Sequence, residues 1–162
     1  SESTVATEVT PVITNFAPSG NFAYVTNISS NTISMYSFSS STGQLVPLNE
    51  SNVSTGINPS YLAFAPSGSY VYVTNYNSNT VTMYSFNSSS GILAPLSEST
   101  IATESNPYGM IFDPSGKYAF VSNSGSNTVS MYSVNSSSGI LTPLSESTVA
   151  TESNPGVVVF SK

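Results

Sequence analysis

Hydrophobic and polar residues alternate along short runs of this chain, and residues that favour turns separate the runs. Between residues 59 and 106 the runs read SYLAFA, YVYVTN, TVTMYSF and ILAPLSESTIAT. Val, Ile, Tyr, Phe and Thr dominate these runs, and none shows the apolar spacing of an amphipathic helix. The breaks between them are rich in Pro, Asn, Ser and Gly, which suit tight turns. The pattern therefore predicts four short strands joined into an antiparallel meander.

The same pattern occurs three times. A proline begins each unit and recurs every 48 residues, at Pro11, Pro59, Pro107 and Pro155. Residues 59–106 and 107–154 match at 33 of 48 positions. A fixed period of this length indicates a propeller, a solenoid or another repeat array. The sequence thus predicts three whole units, 11–58, 59–106 and 107–154. Residues 1–10 would be the outer strand of a preceding blade, and residues 155–162 the innermost strand of a further blade.

The two faces of each predicted sheet distinguish between these architectures. In the third run of the second unit, Val81 and Met83 point to one face, while Tyr84 and Phe86 point to the other. Apolar groups on both faces indicate a small sheet packed between two neighbours. A propeller blade needs a four-stranded sheet that is covered on both sides. The fourth run is the most polar of the four, so it would be the outer strand of the blade. We therefore predict an all-β propeller fold; a stacked β-solenoid, whose rungs are usually shorter, is the alternative.

Composition narrows the possible partners. Charged residues make up 6% of the chain, and the net charge is −6. The chain contains no Cys, His or Arg, so we expect neither nucleic-acid binding nor a thiolate metal site. No apolar run approaches the eighteen or so residues of a membrane span, so membrane insertion is not expected.

The carboxylates do not form an obvious catalytic pair. Four of them recur with the repeat and so mark the fold, namely Glu2, Glu50, Glu98 and Glu146. Glu98 and Glu104 would lie roughly 20 Å apart on one extended strand. A carboxylate pair that hydrolyses a bond needs a separation of roughly 5–10 Å. We therefore predict no catalytic residue within this chain.

Asp113 and Lys117 flank a turn of sequence DPSGK, where Asp is a common turn initiator. Together with Asn and Ser oxygens near the propeller axis, Asp113 could instead bind Ca²⁺. A single carboxylate makes a weak site for such a cation. The sequence therefore predicts a turn role for Asp113, and it predicts neither a metal nor a cofactor.

Two further sets of polar residues recur at fixed positions. Asn27, Asn75 and Asn123 each end the second run, where we expect the side chain to bond to nearby backbone. A tyrosine recurs in the third run, as Tyr36, Tyr84 and Tyr132. Its constant register favours packing between blades over a platform for stacking sugars.

Residues 58–96, NPSYLAFAPSGSYVYVTNYNSNTVTMYSFNSSSGILAPL, resemble the YVTN-type repeats of lactonase-like seven-bladed β-propellers. The shared pattern is N-P, an apolar strand, P-S-G, Y-V-T-N, S-N-T-V and a Gly before L-x-P-L. The resemblance extends over essentially the whole chain. It implies a propeller fold in a family that includes sugar-lactone hydrolases and surface-layer proteins. It also implies that the phosphogluconolactonase branch uses Arg and His beside its carboxylates, and this chain has neither.

These observations favour a non-enzymatic, exported propeller, extracellular or at the cell surface. Its role would be structural, or it would bind carbohydrate or protein. The alternative is that the chain is part of a 6-phosphogluconolactonase-type hydrolase whose catalytic residues lie elsewhere.

Three blades alone would expose two apolar faces, which calls for a partner. We expect a homo-oligomer (a dimer with six blades, or a head-to-tail assembly) or further blades in a longer chain. The C-terminal end carries Val157, Val158, Val159 and Phe160, whereas the first unit has the less apolar Thr14, Asn15 and Phe16. An apolar, unpaired strand invites pairing with another chain. We therefore predict that residues 155–162 dock onto a neighbouring subunit, or onto the next blade of a longer parent chain, with the edge around residues 11–16 as the acceptor.

Overall fold

The computed structural model describes residues 4–159, which contain twelve β-strands and no helix. Blade 1 comprises β1 Pro11–Phe16, β2 Phe22–Asn27, β3 Thr32–Ser39 and β4 Gln44–Ser54. Blade 2 comprises β5 Pro59–Phe64, β6 Tyr70–Asn75, β7 Thr80–Phe86 and β8 Leu93–Ala102. Blade 3 comprises β9 Pro107–Phe112, β10 Tyr118–Asn123, β11 Thr128–Val134 and β12 Leu141–Ala150. Each blade is one antiparallel sheet with its strands in chain order, which confirms the predicted fold class. A helix that could cross a membrane is accordingly absent from the described residues.

The turn between the first two strands of each blade has the predicted form, with proline second and glycine fourth. The glycine N–H donates to the carbonyl oxygen of the first turn residue, always at 2.9 Å, in the pairs Gly20–Ala17, Gly68–Ala65 and Gly116–Asp113. Each glycine has a positive φ, about +70°, as in Gly68 at 69°. Glycine adopts this conformation without the steric cost that a Cβ would bring.

The outer strand of each blade contains a bulge. In blade 2, Thr82 pairs with Thr100 while Tyr84 pairs with Pro95, so β8 uses more residues than β7 over the same length. The bulge lets Leu96 pack against the core while Glu98 stays exposed. The assumption of one continuous strand through Glu98 and Glu104 was therefore wrong, because β8 is bulged and ends at Ala102.

The apolar core lies between the blades, as the alternation on both faces predicted. Between blades 1 and 2 it consists chiefly of Tyr24, Ile33, Met35, Leu62, Val71, Val73, Tyr84 and Leu93. Between blades 2 and 3 it consists chiefly of Tyr72, Val81, Met83, Met110, Phe112, Ala119, Val121, Tyr132 and Leu141. Val81 and Met83 thus face blade 3 while Tyr84 faces blade 1. Each blade is held by its neighbours, since burial of apolar surface is the main favourable term in folding.

Buried tyrosines join the blades by hydrogen bonds as well as by packing. The recurring third-strand tyrosine donates its Oη–H to a backbone oxygen of the preceding segment, in the pairs Tyr36–Ala6, Tyr84–Ser54 and Tyr132–Ala102. Tyr24 and Tyr72 donate to the following blade, to the oxygens of Gly91 and Gly139, both at 2.7 Å. Burial raises the pKa of Tyr24 and Tyr72, so both hydroxyls remain neutral donors. The predicted role in packing between blades is confirmed for Tyr84 and Tyr132, whereas Tyr36 packs against Val5, in the segment before blade 1.

The asparagine that ends the second strand bonds mainly to side chains. Asn75 pairs with Thr80 across β6 and β7, so its Nδ2–H₂ donates to the hydroxyls of Thr80 at 3.0 Å and Thr82 at 2.8 Å. Its Oδ1 accepts one backbone bond, from Gly56 N–H at 3.1 Å. The prediction of backbone partners was thus only partly right, because the cross-strand pairing places two hydroxyls opposite the amide.

Equivalent glycines provide a matched test of packing between blades. Gly43 and Gly91 occupy the same turn with φ of 72° and 77°, but only Gly91 abuts a neighbouring blade. A Cβ on Gly91 would lie 2.3 Å from the ring of Phe22, whereas nothing lies within 4 Å of one on Gly43. Gly43→Ala should cost about 1–2 kcal/mol from the positive φ alone. Gly91→Ala should cost about 1–3 kcal/mol more through overpacking.

Urea unfolding of the two variants, followed by circular dichroism, measures this difference. The midpoint should fall further for Gly91→Ala than for Gly43→Ala. Equal shifts of the two midpoints would mean that Gly91 of blade 2 does not pack against Phe22 of blade 1 in solution.

Candidate functional site

One end of the blades is built from loops that interlock. The strands β1, β5 and β9 are innermost, since β5 contacts both β1 and β9, and each begins at a proline. We call the end where they begin the proline end. It also carries the turns between the second and third strands, residues 28–31, 76–79 and 124–127. A cleft at this end is therefore framed by residues from more than one blade.

Asparagine side chains fasten these loops together. The Oδ1 atom of one asparagine accepts the backbone N–H of the next, in the pairs Asn31–Asn58, Asn79–Asn106 and Asn127–Asn154, at 2.7–2.8 Å. All six residues have φ between 53° and 57°. Asparagine tolerates this left-handed conformation better than most residues. The loops at the proline end therefore have a preformed backbone, which can present different side chains in different blades.

A cleft of about 360 Å³ opens at this end between blade 2, blade 3 and the chain that follows. It is lined by Tyr76, Tyr108, Ser124, Asn154, Pro155 and Gly156. Tyr76 is 36% exposed and Tyr108 is 46% exposed, so both rings are accessible to a ligand. Two aromatic rings beside an amide and a hydroxyl suit a small polar molecule with an apolar face. We take this cleft as the candidate site.

The cleft lies where the repeat is broken. The three units differ from one another at every position of residues 12–15, 60–63 and 108–111, which read VITN, SYLA and YGMI. They differ again at Ile28, Tyr76 and Ser124. By contrast, β8 and β12 read LAPLSESTIA and LTPLSESTVA. Tyr76 and Tyr108 were not predicted from the sequence, because the predicted residues were those that recur in every unit. Positions at which the units differ would have revealed both tyrosines.

The acidic residues do not converge on the cleft. Among residues 4–159, no three His, Cys, Asp or Glu side chains lie close enough together to hold a metal ion. Glu104 lines a separate groove with Tyr132, where burial, and to a smaller degree Glu104, raises the pKa of Tyr132. Glu50 lines another groove, beside Ile92. The lining of the cleft itself thus includes no carboxylate that could act as a general base.

Asp113 has the turn role that the sequence predicted. Its Oδ2 accepts from the backbone N–H of Ser115 at 3.0 Å, and its Oδ1 accepts from Tyr118 N–H at 2.8 Å. The Ser115 hydroxyl, followed by the Tyr118 N–H, lowers the pKa of this carboxyl group. The turn joins β9 to β10 and so lies at the end of the blade opposite the cleft. Lys117 lies in the same turn, and it is therefore also remote from Tyr108.

The residues predicted to act in assembly lie at opposite ends of the row of blades. Thr14 is exposed on β1, and Phe16 contacts Phe38 edge-to-face with ring centroids 5.1 Å apart. Asn15 donates its Nδ2–H to the carbonyl oxygen of Leu62, a bond to blade 2 that the sequence had not indicated. After blade 3, Val157, Val158 and Val159 form no strand. Phe160 lies outside the described residues.

Solved structures share this fold at low sequence identity. A candidate 6-phosphogluconolactonase from Bacteroides fragilis superposes with a TM-score of 0.84 at 21% identity, over 94% of this chain and 42% of that one. The periplasmic gluconolactonase of Pseudomonas aeruginosa superposes with a TM-score of 0.80 at 20% identity, over 90% and 41%. The hydrazine synthase of Kuenenia stuttgartiensis gives 0.68 at 20% identity, over 94% and 40%. The chain thus spans less than half the length of each, and the likeness establishes the fold alone.

No curated protein matches the chain significantly. A family described as lactonase, 7-bladed beta-propeller, matches residues 13–106 and 98–160. The two matches together extend from blade 1 to the end of the described residues and beyond. The chain therefore belongs to the seven-bladed β-propeller lactonase family.

Proposed function

We propose that these three blades form part of a propeller enzyme that hydrolyses a sugar lactone, and that the cleft at the proline end contributes to substrate binding. The proposal rests on the family match, which covers almost the whole chain. Two structural relatives, the Bacteroides fragilis and Pseudomonas aeruginosa proteins, bear lactonase names. A lactone-hydrolysing enzyme was the alternative that the sequence left open. The family match and the related structures favour it over a purely structural role.

The cleft suits recognition of a sugar ring more than of a phosphate group. Tyr76 and Tyr108 offer ring faces on which the apolar face of a sugar can lie, and Ser124 and Asn154 offer hydrogen-bond donors and acceptors. A phosphate would need cationic side chains. The chain has two lysines, of which Lys117 is at the far end of blade 3 and Lys162 is outside the described residues. We therefore infer an unphosphorylated lactone as the ligand of these blades.

The catalytic groups are assigned to parts of the enzyme beyond these blades. Lactone hydrolysis needs a base to activate water and donors that stabilise the developing oxyanion. The chain has no His or Arg, and none of the residues that line the cleft is a carboxylate. These blades would position the substrate while further blades carry out the chemistry.

A second candidate is the exported, non-enzymatic propeller that the sequence favoured. The specific observation behind it is the absence of His and Arg from all 162 residues. Both candidate functions are compatible with a protein that is located outside the cytoplasm, and the Pseudomonas aeruginosa relative is periplasmic. Fractionating cells that express the full-length protein would test the location, and protein confined to the cytoplasm would refute it.

The binding proposal is tested with gluconolactone and its stable product gluconate, using ligand-observed NMR on the purified chain. Tyr108→Ala should weaken binding about fivefold, because loss of a stacking ring costs on the order of 1 kcal/mol. Tyr76→Ala should have a similar effect. Tyr118→Ala is the matched control, since Tyr118 is equally exposed at the opposite end of blade 3. If Tyr118→Ala weakens binding as much as Tyr108→Ala, the cleft is not the site.

The catalytic proposal predicts that the isolated chain hydrolyses neither gluconolactone nor its 6-phosphate above the rate in buffer. Acid release in a pH-stat measures the rate directly. Asp113→Asn is the informative variant, because both Asp113 oxygens already accept turn hydrogen bonds. Turnover that survives repurification and disappears in Asp113→Asn would show that a carboxylate assigned here to a turn is catalytic.

A further inference from the structure

Three fully buried asparagines, Asn27, Asn75 and Asn123, end the second strands of the blades. Each lies where its blade meets the chain segment that precedes the blade, a contact that we call the joint. The three side-chain amides are oriented alike, because each Nδ2–H₂ donates to two hydroxyls of the third strand. Asn123 donates in this way to Thr128 at 3.1 Å and to Ser130 at 2.8 Å. The carbonyl oxygen Oδ1 therefore points the same way in all three blades.

The partner of this oxygen differs among the joints. In blade 2, Asn75 Oδ1 accepts the backbone N–H of Gly56, in the preceding segment, at 3.1 Å. In blades 1 and 3, the Oδ1 atoms of Asn27 and Asn123 are buried, and neither accepts a hydrogen bond from any residue between 4 and 159. A buried acceptor without a donor is unfavourable and rare in folded proteins. These two oxygens therefore need a donor that the protein itself does not supply.

The residue that faces each asparagine explains the difference. The position of Gly56 is occupied by Glu8 before blade 1 and by Glu104 before blade 3. A Cβ on Gly56 would lie 2.5 Å from Ser78 Oγ and 2.7 Å from Asn75 Cγ, closer than real Cβ contacts come. The φ angle of Gly56 lies outside the left-handed region. Glycine is therefore needed at this position for space and not for backbone conformation.

The joint between blades 2 and 3 surrounds Glu104 with the same kinds of residue. Ser126 and Asn123 are there the equivalents of Ser78 and Asn75. A residue with a Cβ cannot approach these neighbours as closely as glycine does. The backbone at Glu104 therefore stays farther from Asn123, which is why Asn123 Oδ1 has no direct bond to the Glu104 N–H. The two groups that bond directly in one joint are thus held apart in the other.

A polar groove opens between blades 2 and 3 beside these groups. It has a volume of about 150 Å³, and both Glu104 and Ser130 line it. Ser130 is the serine whose Oγ accepts from Asn123, so the groove reaches the surroundings of the unpaired oxygen. Thr103 and Thr148 also line the groove. An ordered water takes up roughly 30 Å³ and needs about two to four polar partners, so the groove offers both the room and the partners.

We propose that an ordered water molecule bridges blades 2 and 3, accepting a hydrogen bond from the Glu104 N–H and donating one to Asn123 Oδ1. An equivalent water joins the Glu8 N–H to Asn27 Oδ1 in the joint before blade 1. Residue 56 and its equivalents thus decide how a blade is joined to the segment before it. Glycine gives a direct hydrogen bond, and a residue with a Cβ gives a bridge through water. The inference concerns contacts between blades and does not depend on the proposed enzymatic role.

Water fits these partners better than a metal ion does. Glu104 supplies a single carboxylate, whereas a hard cation such as Ca²⁺ takes about six to eight oxygen ligands. The backbone N–H of Glu104 is a donor, and a donor repels a cation. A water molecule can accept from that N–H and donate to Asn123 Oδ1 at the same time. The donor and the acceptor that face each other across the joint therefore call for a neutral molecule with both capacities.

A high-resolution crystal structure tests the bridge directly. Density for one molecule should appear about 2.7–3.2 Å from both Glu104 N and Asn123 Oδ1, and at the corresponding place before blade 1. None should separate Gly56 N from Asn75 Oδ1. A direct bond between Glu104 N and Asn123 Oδ1, or no density between them, would overturn the proposal. So would a site whose oxygen ligands lie at about 2.3–2.6 Å, because such distances identify a calcium ion.

Substitutions of Glu104 test the cause of the bridge in solution. The measurement is the NMR cross-peak between bound water and the N–H of residue 104, recorded in both the laboratory and the rotating frame. The cross-peak should be present in the wild-type chain and in Glu104→Gln, which keeps the Cβ. It should be lost in Glu104→Gly, because the N–H can then reach Asn123 directly. Loss of the cross-peak in Glu104→Gln would show that the carboxylate holds the site, and persistence in Glu104→Gly would show that the Cβ does not create it.

The converse substitution, Gly56→Ala, should admit water to the joint between blades 1 and 2. The added Cβ would push the backbone away from Asn75, so the N–H of residue 56 should gain the water cross-peak that it lacks in the wild-type chain. Gly156→Ala is the matched control, since a Cβ there meets nothing within 4 Å, and it should leave residue 56 unchanged. A folded Gly56→Ala chain without the cross-peak would refute the role of the Cβ. If Gly56→Ala does not fold, the Glu104 variants still decide the proposal.

Discussion

The packing of one blade against the next is the interaction on which the rest of this structure depends. Each sheet has apolar side chains on both faces, so a blade alone would leave one or both faces in water. Blade 2 shows the satisfied arrangement, with Tyr84 facing blade 1 and Val81 facing blade 3. Tyrosine hydroxyls that donate to the neighbouring backbone fix the register of these contacts.

The candidate cleft, by contrast, lies where the repeat departs from itself. The outer strands β8 and β12 are almost copies of one another, since they read LAPLSESTIA and LTPLSESTVA. The inner strands and the turns beside them differ among the blades, and Tyr76 and Tyr108 stand at two of the differing positions. Interlocked asparagines hold the loops beneath them. A rigid, repeated frame that carries a few unrepeated side chains is a common basis for a binding site on a repeat protein.

The family match changes how the missing catalytic groups are interpreted. From the sequence, the absence of His and Arg favoured a structural protein. Membership in a lactonase family, together with coverage of less than half of each related structure, favours a substrate-binding portion of an enzyme. Fold alone does not decide between them, since the hydrazine synthase of Kuenenia stuttgartiensis shares it.

Sequence by itself determined the four strands of each blade and their order, the turns at residues 17–20 and their equivalents, and the apolar character of both faces. These features follow from local periodicity and from the backbone preferences of Pro and Gly, which a single repeat displays in full. Only the tertiary structure decided that β8 bulges around Glu98, that Asn75 bonds to Thr80 and Thr82, and that Tyr76 and Tyr108 line one cleft. The first two depend on the register between neighbouring strands, and the third depends on how blade 2 packs against blade 3. Neither register nor packing between blades can be read from the local periodicity of one repeat.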